Sequence, residues 1–450
     1  MNLFGALLTS VLVLVVLGAP RRWAMLGMMA GVLYLTQSEA IDLAGFNMFA
    51  VRFLELAAFV RVLARREFPL TRWTKIDQAV VWLYLYTAIV YWLRASEEQA
   101  NVMGRTADAL LCYFAFRGLI ADMPEFQWFL RSLVVLLLPY VSLILVESLT
   151  HHNLFSFMGG AYNWVRDERF RCVGSFRHPD LLGTFGACFL PLYVGLARIR
   201  LGRALALIGV VLCLVIVWAS NSGGPVCATV VAAVGWLFWR MRTRMRAMRW
   251  GMAAAIALTA MVMKAPVWYL IARLSLIAGG TGWHRAYLMD MAFQHLDKWW
   301  LCGMRIEATS DWFPYTIAAT GGADITNEFI AFGLSAGLGA VALSILLLVR
   351  GFSGLGEALA NVRSNAAESS ETEFVLWGLG VMLAVHVISW LGITYFDQFY
   401  VVWFLQLAAI SSLSEICVKA GSAIETQEAA GHPEDVDLIE TELGYENPLP

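Results

Sequence analysis

What limits this chain most is a repeat of apolar runs, each about 16–24 residues long, separated by polar stretches. A helix needs about 20 such residues to cross a hydrocarbon core of about 30 Å, and a backbone in lipid must bond itself internally. The expected fold class is therefore an all-α polytopic membrane protein. Of 450 residues, 59% are hydrophobic and 15% are charged. Soluble domains carry about 25% charged residues, so a water-soluble globular enzyme is excluded. The net charge of −2 says little, because charge here is sorted by loop.

Hydropathy places spans near 3–19, 23–37, 41–64, 78–94, 105–121, 127–148, 181–197, 203–220, 225–240, 249–264, 328–350, 373–394 and 398–415. That is about 13 transmembrane helices, with 12 as the alternative count. Leu3–Ala19 reads as a retained span, because Arg21 and Arg22 follow it where a signal peptide needs basic residues in front. The layout is N-terminal helices over 1–148, a first outer loop over 149–180 and central helices over 181–264. A large loop with amphipathic helices follows over 265–327, then three last helices over 328–418 and a tail over 419–450.

If the spans alternate, four basic clusters share one side: Arg21 and Arg22; Arg61 to Lys75; Arg198 to Arg203; and "RMRTRMRAMR" at 240–249. The positive-inside rule makes that side cytoplasmic. The C-terminus is then cytoplasmic as well, and its acidic tail, without Lys or Arg after Lys419, is expected to be disordered. The two long loops are then expected to be extracytoplasmic. No nucleotide donor is available there, so any transfer must use a donor already activated and across the membrane.

The first outer loop ends in "RFRCVGSFRHPDLLG", 169–183. Arg169, Arg171 and Arg177 precede a span whose first turn holds Pro179. Arginines beside a helix N-terminus suit an anion, phosphate above all, though lipid headgroups would serve. "SNSGGP", 220–225, puts two serines and two glycines in a turn on the same side, either for a ligand's close approach or simply to turn. The large loop contains "TGWHRAYLMDMAFQHLDKWWLCG", 281–303, with His284, Arg285, Asp290 and His295. Leu288, Ala292 and Leu296 share one helical face that could lie on the bilayer, and Trp299, Trp300, Trp312 and Tyr315 read as interfacial anchors. The histidines lack metal-ligand spacing, so neither a metal nor a cofactor is expected. "GGADITNEF", 321–329, caps the next span, with Glu328 near the membrane plane and a run of small residues from Gly333 to Ala340 beyond it. Arg52 and Glu55, at i and i+3, could neutralise each other within the bilayer; Glu147 and His386 are further buried ionisable residues. Cys172 and Cys302 lie in the two outer loops, where a disulfide between them is open.

These pieces resemble the O-antigen ligase and O-antigen polymerase superfamily of bacterial membrane glycosyltransferases. Arg171, Gly174, Phe176 and Pro179 are similar to that family's Arg-Gly-Phe-Pro-Asn run. "SNSGGP" stands where the family has a Ser-rich turn, and residues 284–303 with "TNEFIAFGLSAGLG" stand where it has its large periplasmic loop. The resemblance covers about residues 165–350. It implies metal-independent transfer of a polyprenyl-pyrophosphate-linked oligosaccharide to a glycan or lipid-linked acceptor, in polysaccharide or exopolysaccharide assembly with possible partner proteins and no nucleic acid. Arg171 and Arg285 match the phosphate-binding arginines best, with Arg177 and Arg305 as second choices and Asn327 as a further substrate contact. The family's ligases place a histidine where this chain has Thr326, and threonine is no general base at neutral pH. His284, Glu328 or Asp324 must take that role, and the Thr-Asn-Glu arrangement suits a polymerase better than a ligase. The competing classes are a lipid-linked oligosaccharide flippase, which should show internal repeats and interrupted helices, and a non-catalytic scaffold.

Overall fold

The computed structural model describes the chain except for residues 44–45, 69–72, 95–98, 161–163, 167, 279–281, 313–320, 365–369 and 432–450. Its helices, in order, are α1 (Leu3–Gly18), α2 (Arg21–Tyr34), α3 (Ala50–Ala64), α4 (Lys75–Arg94), α5 (Gln99–Leu119), α6 (Met123–Thr150), α7 (Pro179–Leu196), α8 (Arg203–Ser220), α9 (Gly223–Leu237), α10 (Met245–Val262), α11 (Tyr269–Ala278), α12 (Gly282–Gln294), α13 (Leu296–Trp299), α14 (Glu328–Ser364), α15 (Ser370–Trp390) and α16 (Tyr400–Gly431). Among the described residues, 8 helical stretches are long and apolar enough to cross a membrane, with α9 and α10 counted together as Gly223–Val262. The chain is thus an all-α multi-pass membrane protein.

Each expected span falls on a helix, with three adjustments. Residues 40–49, taken into the third span, form an antiparallel hairpin of β1 (Ala40–Leu43) and β2 (Phe46–Phe49), with Asp42 opposite Asn47. Polar and apolar residues alternate there, as a strand requires and a spanning helix does not. The last helix runs on to Gly431, past the expected start of the tail at 419, because Ala, Glu and Gln in "AIETQEAA" are good helix formers. The third adjustment is a break in α14: Ala336 (φ −152, ψ 27) and Gly337 (φ 75, ψ −171) leave helical geometry.

Hydrogen bonds show two ends of the bundle. At one, Arg61 donates to the Val16 and Ala19 carbonyls at 2.7 and 2.5 Å, Arg65 to Leu17, and Arg242 to Glu373 at 3.2 Å. At the other, the Asn2 amide donates to Phe157 O and the Thr36 hydroxyl to Met158 O. The Arg61 and Arg65 contacts tie the end of α1 to the end of α3, and the Asn2 and Thr36 contacts tie the N-terminus and the segment after α2 to the first long loop. α10 has no buried residue. With α9 it makes one stretch long and apolar enough to cross a membrane, and its two arginines, Arg246 and Arg249, lie in its first turns.

α7 is the hub, 94% buried along its length. Gly183 and Gly186 let α8 come close: a Cβ on Gly183 would strike the Ser220 side chain, and one on Gly186 would sit 2.6 Å from Cys213 O. Helices in lipid gain from contact and not from water release, so small residues at the interface set how near the backbones come.

The large loop is a folded lobe. Leu288 and Ala292 pack with Trp299, Trp312, Ile330 and Leu334 in a second apolar core. Leu288, Ala292 and Trp299 therefore face inward, not onto the bilayer. Trp299 donates to Ala292 O at 2.8 Å and Trp312 is wholly buried, so neither is an interfacial anchor. Trp300 remains half exposed, and Tyr315 lies outside the described residues.

Candidate anion-binding pocket at the loop-bearing end

The pocket begins with how the first outer loop is held. β3 (Trp164–Arg166) pairs antiparallel with β4 (Arg169–Arg171), which delivers Arg171 to the turn leading into α7. Glu147, at the end of α6, accepts from the Val173 and Gly174 amides at 2.8 and 3.0 Å. Its role is thus to fix this loop. Gly174 has φ +58, and a Cβ there would meet the Tyr140 hydroxyl at 2.6 Å, so only glycine makes the turn. His178 then caps α7, its Nδ1 accepting the Asp180 amide at 3.1 Å.

Asp180, in the first turn of α7, is where the outer segments meet. Arg171 Nη2 donates to Asp180 Oδ1 at 3.0 Å and to Ser222 Oγ at 2.5 Å. From the lobe, Arg285 on α12 brings Nη2 to 3.5 Å from Asp180 Oδ2, while its Nε donates to Gly392 O at 2.8 Å. One carboxylate thus bridges two guanidiniums that are 114 residues apart in sequence. Arg285 Nη2 also lies 3.7 Å from the Cβ position of Gly224, an ordinary contact that a side chain there would tolerate.

Asp180 and Arg285 form the polar end of a cavity of about 120 Å³. Its remaining wall, from Ile271, Ile388, Leu391 and Ile393, is apolar, with Cys227 and Ser389 exposed to it. A cationic head beside an apolar trough suits an anion that carries a lipid chain.

The titratable groups around it are perturbed. Burial pushes His178 below the usual imidazole range, with Arg171 and Arg285 adding to that and Asp180 and Asp324 opposing it. With Nδ1 accepting a backbone N–H, the neutral ring carries its proton on Nε2, which makes it a donor towards an anion and not a base. Burial raises Asp324, helped by Asp180 and opposed by His178 and Arg285. His284, next to Arg285 on α12, is lowered to about 4, by burial first and then by Arg285 and Arg166.

A pH dependence follows. The unfolded chain takes up a proton at His284 near pH 6.5, whereas the folded site resists until about pH 4. Neutral His284 therefore contributes stability above about pH 6.5, and this is lost as pH falls towards 4. Proteolysis of the lobe across that window should accelerate in the wild type and less so in His284→Gln; equal profiles would remove His284 as the cause.

Three expected contacts lie elsewhere. Arg177 is turned to Asp397, its Nε 2.8 Å from both carboxylate oxygens, and this pairing raises its guanidinium pKa. Arg305 is exposed and 3.5 Å from Glu307. Asn327 is buried and caps α14, accepting the Ile330 amide at 3.1 Å. Glu328 likewise accepts the Tyr395 amide at 2.8 Å and does not line the cavity. Arg171 and Arg285 come together at Asp180; Asp324 lies outside the cavity lining but near enough to act electrostatically on Arg285, Asp180 and His178, and His284 is next to Arg285 in sequence.

Sequence reading missed Asp180, His178 and the whole connection from Leu391 to Phe399. In that connection Gly392 holds Arg285, Tyr395 holds Glu328 and His386, Asp397 holds Arg177, and Gln398 donates to Ser175 O at 2.8 Å. The signal for the first two was "HPD" directly after the arginines; a backbone carbonyl such as Gly392 O has no sequence signature. Cys172 is buried, Cys302 is exposed, and both are free thiols, so no clip joins the loops. Among the described residues no group of His, Cys, Asp and Glu is arranged to hold a metal. No protein-family model matches this chain, and no curated protein sequence does either.

Proposed function

We propose that the protein is a membrane glycosyltransferase of the O-antigen polymerase and ligase type, which transfers a glycan from a polyprenyl-pyrophosphate carrier at its loop-bearing, periplasmic face. The observation that carries this reading is the convergence of Arg171 and Arg285 on Asp180 at the head of an apolar trough. The arginines and the His178 Nε2–H take the pyrophosphate, and the apolar wall takes the first part of the isoprenoid chain. An acceptor hydroxyl attacks the anomeric carbon, and the bond from that carbon to the pyrophosphate breaks. The electron pair goes to the departing phosphate oxygen, where two guanidiniums offset the charge. The acceptor's proton goes to Asp324, whose raised pKa makes it a better base than an ordinary carboxylate. A polymerase fits better than a ligase, because Thr326 stands where the ligases have histidine.

The break in α14 does not favour a flippase. It is filled by the chain's own residues 300–304, not left to line a passage.

The test uses protein in proteoliposomes with a synthetic polyprenyl-pyrophosphate oligosaccharide. Wild type should extend it, and Asp324→Asn should slow extension by about 10²–10⁴-fold. Polyprenyl pyrophosphate should also slow maleimide modification of Cys227, which faces the cavity. No extension by wild type together with no protection of Cys227 would sink the reading.

A further inference from the structure

Away from the pocket, the Arg52–Glu55 pair expected from their spacing does not form. Arg52 instead forks onto Asp108 of α5, Nε to Oδ1 and Nη2 to Oδ2, each at 2.7 Å. Gly104 lets it through: a Cβ there would be 2.8 Å from Arg52 Nη2. The third nitrogen of the fork, Nη1, donates to Asn47 O at 2.6 Å, and the Phe49 ring lies beneath the guanidinium. Each nitrogen of Arg52 thereby has a partner, and the side chain ties the β1–β2 hairpin to α3 and α5.

Glu55 is left without it. Its side chain is wholly buried, neither carboxylate oxygen makes a well-formed hydrogen bond, and the Tyr400 hydroxyl lies close enough to supply one. The groups facing it are Arg52 from its own helix, Asp108 and Cys112 from α5, and the Tyr400 hydroxyl from the start of α16. α1 contains no titratable side chain, and in α2 Arg22 lies over Trp128 while Tyr34 donates to Leu136 O. If Glu55 were ionised, two carboxylates would share one guanidinium out of water, and the second would be uncompensated. A metal ion would need a shell of several oxygens, and among the described titratable side chains Asp108 and Tyr400 are those that bring one beside Glu55.

We propose that Glu55 is a proton-binding site that carries its proton at neutral pH, and whose deprotonation draws Arg52 off Asp108 and loosens the junction of α3, α5 and α16. The released proton passes to solvent. The new carboxylate then competes for the guanidinium that holds the hairpin at Asn47. This site is separate from the pocket and does not depend on the glycosyl-transfer reading.

Infrared spectra of the full-length protein in nanodiscs, with and without carboxyl-¹³C glutamate, test it. A protonated-carboxyl band should be present at neutral pH, shift with the label, disappear in Glu55→Gln and fade as pH rises. Cys112, buried beside Glu55, gives a second reading by peptide-resolved thiol modification. At alkaline pH it should react about tenfold faster in wild type than in Glu55→Gln, and equally at neutral pH, since local opening exposes it only when Glu55 is charged. A charged Glu55 would itself disfavour the neighbouring thiolate, so faster reaction in the wild type reports opening and not the thiol's own titration. A band unmoved by glutamate label, or one undiminished in Glu55→Gln, overturns the proposal. So does sodium-dependent protection of Cys112, which would make the occupant a metal ion. If Glu55→Gln does not insert, the labelled spectrum is taken in a Glu147→Gln, Glu328→Gln background, which removes two other glutamates in apolar surroundings: no label-sensitive band there overturns the proposal, and one that fades with rising pH supports it.

Discussion

Arg285→Ala, present in the membrane at wild-type level, should lower glycan transfer by about 10²–10³-fold, the usual loss when one preorganised donor to a developing oxyanion is removed. Arg285 is held by the Gly392 carbonyl and by Asp180, so its guanidinium needs no reorganisation when charge appears on the pyrophosphate. Arg285→Lys should recover only part of the rate. A lysine keeps the charge but cannot donate to Gly392 O and an anion in the same fixed plane. Arg171→Ala should be as damaging, because it also strips Asp180 of its closer partner at 3.0 Å. Arg305→Ala should leave transfer within about twofold of wild type, as expected for an exposed pair with Glu307. The assay is the proteoliposome extension described above, at matched protein. If Arg285→Ala and Arg305→Ala behave alike, the arginines are headgroup contacts and the pocket is not where transfer occurs.

The bundle was largely readable because apolar length is a local property, and each helix writes it into its own residues. Arg171 and Arg285 were readable for a related reason: basic residues in loops predicted to lie outside stand out against the rule that keeps them inside. Asp180 did not stand out, since an aspartate in the first turn of a helix is ordinary capping chemistry; only the arrival of two arginines makes it more. Arg52 shows the opposite failure. Its spacing to Glu55 pointed to a local pair, but Asp108, 56 residues on, offers both oxygens to the fork. A bidentate contact across helices outcompetes a neighbour one turn away. The lobe misled because a helical stripe of Leu288 and Ala292 shows that a face is buried, not what buries it.

The break in α14 was hidden for the same reason, and it carries the second large effect. Glycines in a membrane helix read as packing residues, and several here do pack: a Cβ on Gly333 would be 2.5 Å from the Trp299 ring. Gly337 does something else. At φ 75 and ψ −171 it occupies a region that is essentially closed to side chains. A Cβ there would land on the Leu301 carbonyl oxygen. The opening it creates is filled by the lobe: Leu338 N donates to Trp300 O at 2.7 Å, and Leu334 O accepts from Met304 N at 2.9 Å and from Arg94 at 3.0 Å. Gly337→Ala should therefore cost the docked state on the order of 3 kcal/mol, from backbone strain plus hydrogen bonds left unmade. Alanine also favours the competing state, a continuous helix through 336–338, by about 1 kcal/mol over glycine. With residues 300–304 expelled, the lobe loses its seat on α14, and Arg285, which the lobe carries, loses Asp180. Limited proteolysis should cut the variant's lobe while the bundle stays resistant, and transfer should fall as far as in Arg285→Ala. A resistant lobe with normal transfer would mean that the Arg285–Asp180 contact holds the lobe without the break. In that case Arg285→Ala should itself release the lobe to protease, so the two variants measured together separate anchoring from chemistry.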